Sequence, residues 1–119
     1  MTITRLPSHV ADPTCSAAVR AGDTLYLAHH AGGFDVPSYA HQTREALRAL
    51  TRTLESAGAG PAHVVQVTMW IREITPELRD AWDVFTEFFG DQPPARMTAT
   101  TDFFDPACLV QVEAIAFLG

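Results

Sequence analysis

Nine residues near the middle of the chain, HVVQVTMWI at 63–71, constrain the fold more than any other stretch. Val65, Val67, Met69 and Ile71 alternate with Val64, Gln66, Thr68 and Trp70, so both faces of an extended segment are partly apolar. A strand of that kind belongs inside a sheet, covered on both sides. Ala59-Gly60-Pro61 leads into it, and Thr75-Pro76-Glu77 after it offers an N-cap, an N1 proline and a first-turn acid. The helix that starts there carries Leu78, Ala81, Trp82, Phe85, Phe88 and Phe89 on its apolar stripe and ends at Gly90.

The remaining elements arrange themselves around that strand. After an irregular start marked by Pro7 and Pro13, residues 15–20 and 24–30 read as two short strands turned by Ala21-Gly22-Asp23. In the second of them Leu25, Leu27 and His29 are expected on one face, with Tyr26, Ala28 and His30 on the other. Gly32-Gly33 breaks the strand, Ser38 is a plausible N-cap, and Leu47, Leu50 and Leu54 with Ala46 and Ala57 stripe a helix that stops at Gly58. Residues 93–117 read as two further strands with a turn between them. The order strand, strand, helix, strand, helix, strand, strand argues for an α+β domain over residues 1–119, with both helices on one face of a single sheet. The other face then needs cover. The alternation Cys108, Val110, Val112, Ala114, Ala116 on the last strand suggests that further copies of the chain supply it, as a homo-oligomer.

Charge and composition exclude several functions. With a formal net charge of −6 and no cluster of Lys and Arg, the chain lacks the electrostatic footprint of a nucleic-acid binder. A small organic substrate or a protein partner fits better. No apolar run approaches the roughly 20 residues that span a bilayer, and the first residues lack a basic start followed by an apolar core, which together predict a cytoplasmic protein. Cys15 and Cys108 are far apart and are expected as free thiols. His29 and His30 are adjacent, so on a regular strand they point to opposite faces, and with His9, His41 and His63 scattered no metal-ligand spacing emerges.

One residue stands out chemically. Arg96 sits in a strand among Ala, Met and Thr with no acidic neighbour in sequence, and a guanidinium so placed wants an anion. The elements GDTLYLA at 22–28, ESAG closing the first helix, VVQVTMWI, FTEFFG, PARMT and VEAIA together resemble the Rid family, also called YjgF/YER057c/UK114 or reactive intermediate deaminase. The likeness covers nearly the whole chain.

The resemblance implies a chorismate-mutase-like subunit, a homotrimer with ligand clefts between subunits, and hydrolysis of 2-imino acids or their enamine tautomers to 2-oxo acids and ammonia without metal or organic cofactor. Arg96 falls on the family's substrate-binding arginine, where a planar fork can hold a carboxylate in a bidentate pair. The bland alternative is an arginine that ties a strand end to an acid elsewhere in the trimer. Gln111 stands where deaminating members carry a glutamate proposed to activate water; a glutamine is no general base, although its carbonyl can hold a water. Glu113, on the same strand face, is either a displaced acid/base group or a structural carboxylate. The other cleft positions fall on Cys15, Ala28, His29, Trp82 and Thr98, each differing from the usual family residue. His29 is a cleft acid, base or donor or else a satisfied strand-end residue, Cys15 a pocket wall rather than a nucleophile, and Trp82 a core residue unless its edge is open.

The expected function is therefore that of a Rid-like enzyme hydrolysing or tautomerising a small carboxylate-bearing imine or enamine, with Arg96 on the carboxylate and Gln111 positioning water or polarising the substrate nitrogen. The alternative is a non-catalytic trimer that binds a small acid or a partner protein through the same cleft. The family's older label of endoribonuclease fits poorly with an acidic chain.

Overall fold

A computed structural model describes residues 2–119. Six strands, β1 (Ile3–Leu6), β2 (Ala18–Ala21), β3 (Thr24–His30), β4 (Val64–Ile71), β5 (Ala95–Thr100) and β6 (Val110–Phe117), form one sheet in the order β1-β2-β3-β6-β4-β5. All neighbours run antiparallel except β4 and β5, which the helix α2 (Leu78–Phe89) connects as a parallel crossover. The helix α1 (Tyr39–Ser56) links β3 to β4 through a single 3₁₀ turn at Pro61–His63. The expected single sheet with two helices is what the chain forms.

Burial follows the helix stripes. Ala46, Leu47, Leu50 and Leu54 of α1 and Ala81, Val84 and Phe85 of α2 pack with Leu25, Leu27, Val67, Met69, Ile71, Val110, Val112, Ala114 and Ala116 of the sheet, all buried. Ser38 caps α1 by accepting the His41 amide on its Oγ at 3.2 Å, and Gly58 takes the left-handed φ of 77° that ends the helix.

Several sequence-based expectations are corrected. The start of the chain is not irregular throughout: Ile3–Leu6 pairs with β2, a four-residue edge strand too short to alternate visibly. The strand expected at 15–20 begins at Ala18, because residues 7–17 loop across the sheet end. The second helix starts at Leu78, and Thr75-Pro76-Glu77 forms a lead-in turn with the Leu78 amide on the Thr75 carbonyl at 3.1 Å. In β4 an irregular register between Val64 and Gln66 buries Val64 and leaves Val65 exposed, the reverse of strict alternation. A second irregularity between Leu27 and His30 puts His30, not His29, on the buried face with Leu25 and Leu27. Finally, Cys108, Val110, Val112, Ala114 and Ala116 are covered by this chain's own helices, so it is the opposite face of β6 that awaits cover.

Candidate functional site

On the open face of the sheet, the residues of β6 between the buried valines point away from the helices. Gln111 lies opposite Trp70 and Glu113 opposite Thr68 across the β4 ladder. The irregularity at the end of β3 turns His29 toward the same place, and the 101–109 loop between β5 and β6 closes it with Phe103 and Phe104. The result is a cavity of about 340 Å³ lined by His29, Trp70, Thr101, Asp102, Phe103, Phe104, Gln111 and Glu113. An adjoining cavity of about 430 Å³ shares His29, Phe104 and Gln111 and runs on to His9 and Phe34.

The polar groups here are partly committed. The Trp70 indole N–H donates to Glu113 Oε1 at 3.0 Å, which orients the carboxylate at the cavity wall. The 101–109 loop is held from behind by Arg72, whose Nε and Nη2 each donate at 2.9 Å, to the carbonyls of Cys108 and Asp105. Gln42 of α1, fully buried, adds a clamp: its Nε2 donates to Ala107 O at 3.0 Å and to Val36 O at 3.1 Å, while its Oε1 accepts the Leu109 amide at 2.7 Å. Sequence reasoning passed over Arg72, Gln42 and the two phenylalanines. A polar glutamine inside an otherwise apolar helix stripe was the available signal, since such a residue stays buried only when its hydrogen bonds are met.

Arg96 is elsewhere. In the parallel ladder it lies opposite Val67, and Thr98 opposite Met69, both buried core residues, so Arg96 and Thr98 share the helix side of the sheet, as the period of two predicts. Gln111, Glu113 and His29 occupy the other side. One chain therefore does not bring the expected anchor and the expected water-holding group together. Arg96 stands on the exposed edge strand with its Cζ 3.8 Å from the Trp82 ring centroid and 5.3 Å from that of Phe85. Among the described residues it makes no salt bridge. Beside it a cavity of about 400 Å³ is walled by Trp82, Phe85, Phe89, Pro93 and Pro94. Trp82, half-buried, is thus both part of the helix stripe and a platform for the guanidinium.

The other expected cleft residues scatter. Cys15 lies in the 7–17 loop with its Sγ 3.8 Å from Ser8 Oγ and lines neither cavity that holds Gln111. Ala28 contributes backbone: its amide donates to Ala17 O at 2.9 Å and its carbonyl accepts His30 Nδ1–H at 2.6 Å. His30 is a satisfied core histidine, since its Nε2 meets Thr53 Oγ1 at 2.8 Å, and burial lowers its pKa to about 4. His9 stacks on it at 3.9 Å and donates from Nε2 to His29 O at 2.7 Å. Cys108 is a free, buried thiol, pushed up in pKa by that burial. Among the described residues no three His, Cys, Asp or Glu side chains are placed to share a metal ion, and no helix is long and apolar enough to cross a membrane.

Comparison with known proteins agrees with the architecture. Residues 9–118 match the family described as endoribonuclease L-PSP. A RutC family protein of Pyrococcus horikoshii is 28% identical over 108 residues, covering 86% of this chain and 85% of that protein. A crystal structure from Mycobacterium tuberculosis, described as a member of the YjgF/YER057c/UK114 family, superposes with a TM-score of 0.87 at 29% identity over 98% of this chain and 99% of that one. A YjgF protein of Neisseria meningitidis shares the fold with a TM-score of 0.88 at 22% identity, covering 100% of this chain and 97% of that one. The chain whose edge strand offers Arg96 and whose open sheet face holds Gln111 belongs to the endoribonuclease L-PSP family, the YjgF/RutC proteins.

Proposed function

We propose that this protein is a homotrimeric hydrolase of small carboxylate-bearing imines or enamines, with clefts completed between subunits. The observation that carries the reading is the placement of Arg96: an exposed guanidinium that makes no salt bridge among the described residues, on an edge strand, on the side of its sheet away from Gln111, Glu113 and His29. The two half-sites meet only if the edge of one copy lies against the open face of the next. Exposed Tyr26, Met97 and Phe117 on that face are apolar surface such packing would cover.

In the completed cleft, Arg96 grips the substrate carboxylate through paired N–H donors and sets the imine carbon against the Gln111 cavity. The Gln111 carbonyl holds a water there. The water oxygen bonds to the imine carbon while a proton passes to the nitrogen; the resulting carbinolamine then loses ammonia as the C–N bond breaks and the carbonyl forms. His29, an imidazole that can accept at one nitrogen and donate from the other, and the carboxylates of Glu113 and Asp102 line the cavity and are available to move these protons. A ribonuclease reading has little support from a chain of net charge −6 without a basic cluster. A binding role without catalysis is the second reading, favoured by two features: Gln111 is no base, and Trp70 already engages the neighbouring carboxylate.

The test is imine disappearance. Imino acids generated in situ by an amino-acid oxidase, with survivors trapped by semicarbazide, are followed with wild type and Arg96→Ala. Faster loss with wild type and none with Arg96→Ala is expected. Wild type indistinguishable from buffer would leave the binding role, and full activity in Arg96→Ala would remove the anchor.

A further inference from the structure

The cavity beside Arg96 carries information about the substrate that the Gln111 side does not. Its walls carry the rings of Trp82, Phe85 and Phe89 with Pro93 and Pro94 around about 400 Å³ of space, Thr86 and Gly90 complete the lining, and Arg96 is the one charged side chain among the lining residues. The aromatic groups support one another: Trp82 and Phe85 meet edge to face at 5.9 Å, and Phe85 and Phe89 lie 5.8 Å apart. With a guanidinium seated over the Trp82 face, its N–H groups stay in plane and free to take a carboxylate edge-on, while the ring fixes where that edge points. A carboxylate held there would have its α-substituent within reach of the aromatic wall.

We infer that this pocket receives the side chain of the substrate, and that the protein selects 2-imino or 2-oxo acids bearing an aromatic or large apolar side chain over the small ones. Trp82 acts as the positioning residue that aims Arg96, and Phe89 with Pro93 forms the apolar seat. The inference rests on the reading of Arg96 as the carboxylate anchor. A methyl side chain leaves the pocket open to water; a phenyl ring buries against three aromatic groups, and the apolar area so removed from water is worth about tenfold or more in affinity.

Binding of phenylpyruvate and of pyruvate to the purified full-length protein, followed by calorimetry, separates the inference from its foundation. Phenylpyruvate is expected to bind about tenfold more tightly or better, Phe89→Ala to shrink that ratio severalfold, and Trp82→Leu to weaken both acids while Trp82→Phe restores most of the loss. Equal affinity for the two acids, with both abolished by Arg96→Ala, overturns the side-chain pocket and leaves the anchor standing. Binding of both acids undiminished in Arg96→Ala overturns the anchor and the pocket with it. A ratio unmoved in Phe89→Ala, in a variant whose circular dichroism and melting match wild type, places the selectivity elsewhere and also overturns the inference.

Discussion

The two faces of β6 are built from one run of eight residues and obey opposite rules. Val110, Val112, Ala114 and Ala116 face α1 and α2 and are buried, whereas Gln111, Glu113, Ile115 and Phe117 face outward and are half-buried or exposed. The first set is fixed by packing, where every group has its neighbours within this chain. The second set contains an amide and a carboxylate beside apolar groups, a mixture that a core would reject and that a ligand-bearing interface can use. The packed core and the proposed site are therefore separated by one residue of register along a single strand.

The hardest break of that division is a charge placed on the covered face. Val112→Asp puts a carboxylate among Met69 and the leucines of α1 with nothing to pair it, and a loss of about 4 kcal/mol or more, enough to unfold a domain of this size, is expected in denaturant titration. A soluble Val112→Asp protein with wild-type melting would sink the assignment of faces.

Next in size is the pH response of the covered side. His30 is buried, donates to Ala28 O, and is faced by His9, His29 and Arg52, with burial as the main cause that lowers its pKa from 6.5 to about 4. The folded protein then refuses a proton that the unfolded chain accepts below about pH 6.5. Stability is complete above that value and is lost as pH falls toward 4, by about 3 kcal/mol from this group alone. The slope of unfolding free energy between pH 6.5 and 4 should therefore flatten in His30→Gln relative to wild type, which separates this histidine from the carboxylates that titrate over the lower part of the same range. An unchanged slope would mean that the ring is reached by water.

The connection between the two faces runs through Gln42, and its loss is the third expectation. Gln42→Leu keeps the bulk but orphans the Leu109 amide and two carbonyls, costing about 2 kcal/mol and loosening the 101–109 loop over the Gln111 cavity. Hydrogen exchange should rise at the Leu109 amide while the β3–β6 ladder stays protected.

Most of this architecture was legible because its signals are periodic and punctuated. The Leu47, Leu50, Leu54 stripe, the Ser38 cap and the left-handed Gly58 define α1 with no help from tertiary structure. What failed to show was phase. An extra residue at Val65 and another near His29 change which residues face the core at those strand ends, burying Val64 and His30, and bulges are set by how strands meet their neighbours rather than by local propensity. The site suffers from the same blindness. Arg96 announces itself as an unpaired cation in an apolar strand, yet that it stands on the opposite side of the sheet from Gln111 follows from the parallel register of β5 on β4, which two segments far apart in sequence decide only on folding. Gln42 and Arg72, which hold the loop, carry no motif at all.

The smallest effect on stability is expected where the consequence for chemistry is greatest. Gln111→Glu lies on the open face, half-buried, beside a cavity with room for water, so the new carboxylate stays hydrated and unfolding should shift by no more than about 0.5 kcal/mol. Its chemistry changes in kind, because a carboxylate can take the proton that an attacking water must shed and an amide cannot. General-base assistance is worth on the order of 10²-fold or more, so imine hydrolysis should rise at neutral pH and fall away as the new group protonates. Loss of the gained activity as pH falls would mark the new carboxylate as the base, and a variant with wild-type rates at every pH would show that water is activated by another group instead.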